Sequence, residues 1–426
     1  MDYDIILVTG EHFFDHPLNG IAILKRVLED QGYIVGVIEN PSCEKNLTVL
    51  GRPKLFFGVS SGSIDSMLRN YTPLKKKRED DENNNYFISM PDRAVTVYSN
   101  WIKKNFKGVK IVIGGTESTL RRFTHYDYWE NRVRKPILFD TKTDILVYGS
   151  GEKQLVEISK RIKNDESLLG IEGTCIISKE VPEGFKELPS FEEVENSKEK
   201  FVEMQNSFSN YSNLAQKYQE RYLLQYKSPS YSFEDLDYYY SFPFTRNVPK
   251  ELRGFEFSVV THRGCIGDCN FCSIIYTQGN KIVSRSEKSI LKEIEYITTL
   301  NNFKGNIDDL GGPSANMYGM DCHDCNNSCI GCKKLIKDHK RIINLLKKAK
   351  EIKGVKNVFI RSGIRYDLAP DDYMKEVVKN HVFDTLRIAP EHVDKKVLDA
   401  MNKNSGDLDS FIKKFESFNC GKSLSY

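Results

Sequence analysis

Cys265, Cys269 and Cys272 fall within eight residues of the stretch THRGCIGDCNFCSIIYTQG, spaced C-x3-C-x2-C. Thiolates packed this closely are ligands for zinc or for iron–sulfur clusters. A closed zinc site takes four ligands. No fourth cysteine completes this loop. The nearest histidine, His262, falls inside the preceding predicted strand, which counts against a knuckle of three cysteines and one histidine. A cubane cluster carries four irons and normally four cysteines. With three, one iron is left open to bind something else.

A second set follows in CHDCNNSCIGC: Cys322, Cys325, Cys329 and Cys332, spaced C-x2-C-x3-C-x2-C on a polar loop. Two metals compete for it. Zinc accepts four thiolates, but paired knuckles are usually about a dozen residues or more apart. A second iron–sulfur cluster also takes four cysteines, and ferredoxin-type runs are similarly tight. The spacing leans to the cluster. Cys43, Cys175 and Cys420 stand alone in sequence and are expected to be inert. Cys175 lies in the apolar run GTCIIS, where a cysteine serves as a small buried hydrophobe.

The elements that must carry these loops are α/β. Residues 1–165 alternate strand and helix signals. YDIILVTG, YIVGVIEN, KLFFGVSSG, VKIVIGGTE and DILVYGSGE read as five buried strands, with GIAILKRVLEDQG as a helix after the first and KQLVEISKRI as a helix after the fifth. Repeated βα units predict a Rossmann-like parallel sheet covered on both faces. Residues 166–250 are Tyr-rich, polar and punctuated by proline, and read as a linker or bridging segment with aromatic anchors. Over 251–426 the alternation returns: four βα units and the first residues of a fifth strand, KSLSY. In such a series the chemistry belongs on the loops that leave the carboxyl ends of the strands, and both cysteine sets fall on such loops.

Composition narrows the partners. The formal net charge is +3, from 62 basic and 59 acidic residues, which makes no global case for nucleic acid. The run Lys75–Arg78 is followed at once by the acidic Glu79, Asp80, Asp81 and Glu82, as in a solvated loop. No basic leader region opens the chain, and no stretch approaches the ~18 apolar residues that span a bilayer. A cytoplasmic protein without a membrane partner is expected. In that reducing compartment clustered cysteines are more often metal ligands or catalysts than disulfides.

An aromatic residue just before the third cysteine, here Phe271, together with C-x3-C-x2-C makes the loop resemble that of radical S-adenosylmethionine enzymes. The phrases DHPLNG, RPKLFFGVSSGSIDSM, GGTESTLRRFTHYDYW, LVYGSGE, FPFTR, THRGCIGDCNFCSI, SRSEKSIL, DLGGPSANMYG and LRIAPEH extend the likeness. Together they look like the YgiQ-type radical S-adenosylmethionine family, over nearly the whole chain. The resemblance implies a cobalamin-domain-like Rossmann fold followed by a radical S-adenosylmethionine barrel. Six βα units are usual there, so this chain reads as a C-terminally truncated member with an unpaired strand edge.

The resemblance also implies the chemistry. A 4Fe-4S cluster on Cys265, Cys269 and Cys272 would leave one iron for the methionine part of S-adenosyl-L-methionine. A low-potential donor such as flavodoxin or ferredoxin would reduce it. The cofactor would then break into methionine and a 5′-deoxyadenosyl radical that takes a hydrogen atom from the substrate. Phe271 would flank the adenine. Gly311 and Gly312 of DDLGGP would lend their backbone to the methionine amino group, although Pro313 stands where the family carries a glutamate. Arg361, Ser362, Arg365, Glu391 and His392 end later strands, where they reach either the ribose or substrate, or ordinary surface partners.

Cobalamin is not expected. The family pattern D-x-H-x-x-G is absent, because Asp15 and His16 are adjacent and Gly20 lies four residues on. His125 is expected to pack or hydrogen-bond rather than catalyse. The competing reading is a metal-stabilised binding module, zinc or iron–sulfur, without catalysis and associated with RNA. Balanced charge and the lack of an RNP-type aromatic strand pattern count against it. The substrate is not legible in the sequence.

Overall fold

The computed structural model describes residues 2–78, 90–322, 329, 332–403, 406–418 and 421–425. The acidic run Glu79–Glu82, Cys325 and Cys420 therefore lie outside the described residues. The chain divides into two compact units, residues 1–14 with 19–230, and residues 15–18 with 231–426.

The first unit is built on a nine-stranded sheet. Ile5–Thr9 lies between Val35–Glu39 and Phe56–Ser60, and Lys110–Gly114 and Ile145–Val147 extend the sheet, all parallel. Numbering these five strands along the chain gives the order 2-1-3-4-5, a doubly wound arrangement. The apolar run IILVT is buried at all five positions, as expected of a strand covered on both faces. Asn19 caps the helix Gly20–Asp30 by accepting from Ile21 N and Ala22 N. At the carboxyl ends, where the strand order reverses, Glu11 spans to the loop after the third strand. Its carboxylate accepts from Ser63 N (2.9 Å) and Ser63 Oγ (2.7 Å).

The sheet does not stop near residue 165. Thr174–Ser178, Arg221–Gln225 and Leu214–Tyr218 continue it in antiparallel pairs, and Lys186–Leu188 closes it parallel to Leu214–Tyr218. The expected bridging segment 166–250 is thus corrected: through Ser230 it belongs to the first unit. Leu188, Val194, Met204, Leu214 and Leu223 enter the same core as Ile6, Phe57 and Ile113.

The second unit holds the cysteine loops. Apart from the short antiparallel pair of His262–Arg263 with Val283–Ser284, its strands pair in parallel and in chain order. Ser258–Val260 pairs with Asp309–Gly311, Asn306–Ile307 with Asn357–Val358, Ile364 bridges to Ile388, and Thr385–Arg387 pairs with Ser423–Ser425. The helices Glu287–Thr298, Lys340–Glu351 and Asp371–Asn380 cover it. Lys340–Glu351 buries Ile342, Leu345, Leu346 and Ala349, one stripe at helical spacing. Each of the larger residues contributes about 1.5–3 kcal/mol by leaving water. Ser286 caps Glu287–Thr298, accepting from Ser289 N.

The first strand, Ser258–Val260, has a neighbour on one side only among the described strands. On its other side the carbonyls of Glu256, Ser258 and Val260 meet side chains instead. Arg246 donates to Glu256 O (3.2 Å) and Ser258 O (2.9 Å), and Arg285 to Val260 O (2.8 Å). Glu293, on the helix Glu287–Thr298, bridges the two guanidinium groups. All three side chains are buried. His16 completes the seal: Leu18 N donates to its Nδ1 (3.0 Å), so Nε2 carries the proton and donates to Glu256 O (2.9 Å).

Candidate functional site

Glycine at 264 lets the chain turn out of the first strand. Its φ is +88°, and a Cβ there would collide with the backbone of Lys281. The cysteine loop then runs to Cys272, and the short helix Ile274–Thr277 begins just after it, with Ser273 at the position before its first residue. Cys265 and Cys272 are half-buried and Cys269 is buried. Gly267 N donates to Cys265 Sγ (3.3 Å). A Cβ added to Gly267 would lie 3.2 Å from Cys265 Sγ, 3.7 Å from Cys269 Sγ and 2.8 Å from Nη1 of Arg365. The second half of the loop is pinned from a distance in sequence. Asn270 N donates to Met401 O (3.0 Å) and Asn402 Nδ2 to Asp268 O (2.6 Å).

Burial pushes the Cys265 thiol up, opposed by the Gly267 amide and Arg365. Burial also pushes up Cys269, opposed by Lys403 and Arg365. For Cys265 both other loop thiols act in the same sense as burial, and for Cys269 the Cys272 thiol and Glu391 do. Such a site resists three uncompensated thiolates and accepts them once a cationic group binds. Among the described residues no three His, Cys, Asp or Glu side chains converge on a single metal ion. A cubane asks for a different arrangement, because each of its thiolates holds a separate iron. The three sulfurs, the small Gly267 and the adjacent cations fit that group.

The other predicted site residues fall as follows. Phe271 is 51% exposed, with its ring free of the core. The Gly311 carbonyl already accepts from Thr261 N (2.8 Å) and Thr261 Oγ1 (3.1 Å). A Cβ on Gly311 would run into Ser362 Oγ, and one on Gly312 would lie 2.5 Å from Cε1 of His262. These glycines are demanded by close approach, and neither has a positive φ. His262 is fully buried and its Nδ1 lies 2.8 Å from Thr261 Oγ1, so the ring packs inside the unit.

Arg361 and Ser362 serve the strand ends. Both amides donate to Asp309 Oδ1, Ser362 Oγ donates there too, and Arg361 Nη1 donates to Gly254 O (2.7 Å). Arg365 is brought to the cysteines. Glu391 joins it indirectly, 3.5 Å from Lys403. His392 is exposed and accepts from Asp394 N in a local turn. In the first unit His125 Nδ1 lies 3.0 Å from Phe123 O. Cys175 is fully buried, and burial lifts its thiol to about 12. Cys43 is exposed.

Two residues that sequence reading passed over stand at the loop: Lys403, nearly buried, and Asp367, which fixes Arg365. Neither belongs to a spacing pattern. Of the second cysteine set, Cys322, Cys329 and Cys332 are half-buried. Cys329 and Cys332 pack on a small apolar cluster of Ile266, Ile282, Met317, Met320 and Leu335, and Cys265 packs on the same cluster. Asp321, just before Cys322, accepts from Ser284 N (2.6 Å) and Arg341 Nη1 (3.0 Å). Both cysteine sets therefore border one apolar patch.

A parallel βα series whose first loop gathers three cysteines defines a radical S-adenosylmethionine protein. Residues 1–258 match the family described as Radical SAM N-terminal, and residues 259–419 the Radical SAM superfamily. A UPF0313 protein of Fusobacterium nucleatum subsp. nucleatum is 42% identical, over 98% of this chain and 80% of the relative. One from Methanocaldococcus jannaschii is 43% identical, over 97% of this chain and 74% of the relative. The chain belongs to the UPF0313 family of radical S-adenosylmethionine proteins, and it is an enzyme of that class.

Solved structures agree in fold. The radical S-adenosylmethionine methyltransferase TsrM from Kitasatospora setae, with cobalamin and a [4Fe-4S] cluster bound, superposes with a TM-score of 0.57 at 14% identity. That match covers 100% of this chain and 66% of TsrM. The cobalamin-dependent radical enzyme OxsB, with aqua-cobalamin bound, gives 0.53 at 13%, over 99% of this chain and 49% of OxsB. No helix among the described residues is long and apolar enough to cross a membrane.

Proposed function

We propose that Cys265, Cys269 and Cys272 hold a 4Fe-4S cluster whose fourth iron takes S-adenosyl-L-methionine. The convergence of the Cys265 and Cys269 sulfurs at Gly267, with the Cys272 thiol acting on both, supports this reading. When bound and reduced, the cluster would supply one electron to the sulfonium of S-adenosyl-L-methionine, whose S–C5′ bond would break to give methionine and a 5′-deoxyadenosyl radical able to take hydrogen from the substrate. The chain's residues orient and shield. Phe271 lies against the adenine. The half-buried Gly312 backbone receives the methionine amino group, since the Gly311 carbonyl is already spent on Thr261. The electron comes from a low-potential donor of the flavodoxin or ferredoxin kind. The test is anaerobic reconstitution with iron and sulfide, then dithionite and S-adenosyl-L-methionine. Formation of 5′-deoxyadenosine is expected, and replacing any one of the three cysteines with alanine should abolish both the visible cluster absorbance and the product. A single variant that keeps full iron and product removes that cysteine from the ligand set.

The second cysteine set is proposed to hold another iron–sulfur cluster, supported by the apolar patch that Cys329 and Cys332 share with Cys265. About eight irons per chain are expected, two cubanes' worth. About four irons with one zinc would make these cysteines a structural zinc site. Cobalamin is left out of the proposal. TsrM and OxsB bind it, but both ring nitrogens of His16 are engaged inside the second unit, and Glu11 closes on Ser63 at the sheet's switch point. Titration with hydroxocobalamin is expected to leave the cobalamin spectrum unchanged.

A further inference from the structure

Arg365 is 6% exposed, and its position is fixed twice. Its backbone is held by the Asn316 amide: Arg365 N donates to Asn316 Oδ1 (2.9 Å), and Asn316 Nδ2 donates to Arg365 O (2.9 Å). Its guanidinium is held by Asp367 through Nε (3.0 Å to Oδ1) and Nη2 (2.8 Å to Oδ2). That bidentate grip uses one edge of the fork. The opposite corner, Nη1, faces the cysteine loop. Nη1, Cys265 Sγ and Cys269 Sγ all lie within 3.7 Å of one point, the place a Cβ on Gly267 would occupy. A side chain at 267 would stand between them, and glycine leaves the approach open.

A buried guanidinium stays charged at any accessible pH. Here the carboxylate that balances it lies on the far side, so the positive end is turned toward two of the three thiolate positions. The potential of an iron–sulfur cluster follows net charge, hydrogen bonds to its sulfurs and exposure to solvent. A fixed cation and N–H donor at the thiolates favours the reduced state, which carries one more negative charge.

Resting on the cluster reading above, we propose that Arg365 is a tuning residue that raises the reduction potential of the cluster on Cys265, Cys269 and Cys272, with Asp367 as the brace that aims it. Arg365 is not asked to touch substrate or to move a proton. The role predicts opposite signs for two neighbouring substitutions. Arg365→Gln removes the cation and lowers the potential. Asp367→Asn removes the balancing charge while leaving the cation, and raises it.

The test uses the full chain, reconstituted anaerobically with iron and sulfide. Iron content and the visible spectrum report the cluster. A mediated redox titration followed by electron paramagnetic resonance reports its potential. Arg365→Gln is expected to lower the equilibrium constant for one-electron reduction at least tenfold, about 59 mV. Arg365→Lys, which keeps the charge, should hold the constant within about threefold of wild type, under 30 mV. Asp367→Asn should raise it. Arg365→Gln with full iron and an unmoved potential overturns the proposal. If Arg365→Gln takes up no cluster, Asp367→Asn decides: a rise supports the role, and no change or a fall overturns it. A wild-type chain that takes up no iron overturns the cluster reading, and this one with it. Iron uptake with insensitive potentials overturns this one alone.

Discussion

Glycine does different work at different places in this chain, and the difference is measurable. At Gly312 the His262 ring occupies the space a side chain would need, and that ring is itself fully buried. Gly312→Ala should cost about 1–3 kcal/mol, since the buried ring cannot yield cheaply. At Gly20, the first residue of the helix Gly20–Asp30, nothing lies within 4 Å of the missing Cβ and φ is not positive. Gly20→Ala should therefore gain up to about 1 kcal/mol from helix propensity and a less entropic unfolded chain. Urea unfolding of the two variants against the parent checks both signs. Equal effects would show that the close approach at 312 does not constrain the loop. At this scale the proposed ligand triplet is legible in the sequence, because three thiols at fixed spacing leave few alternatives. Arg365 was legible only as a strand-end residue with two possible jobs. Lys403 was not legible, because only the fold brings it to Cys269, and Asp367, which grips Arg365 two residues away, belongs to no spacing pattern.

Between elements, the network of Arg246, Glu293 and Arg285 fixes the strand that launches the cysteine loop. The two cations are buried and share a single carboxylate. Removing that carboxylate leaves uncompensated buried charge, so Glu293→Ala should cost about 3–5 kcal/mol. Glu293→Gln keeps the shape and accepts one donor, and should fall between it and wild type. Chemical denaturation of the three proteins checks the order. A neutral Glu293→Ala would mean that water replaces the carboxylate. The phrases DHPLNG, FPFTR and SRSEKSIL were recognisable as motifs, but the sequence offers no reason for them to meet. In the structure His16, Arg246 and Arg285 each reach the same strand edge.

The five parallel strands of the first unit were readable because each is a continuous apolar run. The antiparallel extension was missed for a physical reason. Its strands carry buried glutamines, and their polarity hides the pattern. Gln216 accepts from Thr124 N (2.9 Å) and donates to Pro189 O (2.9 Å). Gln225 accepts from Arg122 Nε (2.8 Å) and donates to Ser209 O and Ser212 O. A buried amide with every bond satisfied is tolerated in a core, but it reads as a surface residue to any search for alternation.

Over the whole molecule, acid should act through histidines that the fold keeps neutral. Burial, with Arg246 beside it, pulls His16 down from 6.5 to about 3, and burial pulls His262 down to about 4. Native pKa values below the ordinary one mean that the unfolded chain binds protons the native chain refuses. Stability is therefore full above about pH 6.5 and falls as pH drops from there toward 4. Each histidine contributes up to ~1.4 kcal/mol per pH unit, or ~2.7 for the two. Burial raises Asp308 and Asp309, which offsets part of this loss at the acid end. Urea midpoints measured from pH 8 to pH 5 should be level at first and then fall below 6.5. A flat profile to pH 5 would mean that these rings titrate normally.

The guanidinium seal on the first strand of the second unit also bears on how the protein behaves among its own copies. Open sheet edges are templates: unpaired carbonyls in a row invite a strand from another chain, and fibres and swapped dimers begin that way. On the Ser258–Val260 strand the three carbonyls on that side, from Glu256, Ser258 and Val260, are each already engaged by a side-chain donor. An intruding strand would have to displace two buried arginines and tear them from Glu293 before making its first hydrogen bond. The charge cluster thus makes this border of the sheet unfit for recruitment by a second polypeptide, at the concentrations where ribosomes release many copies side by side.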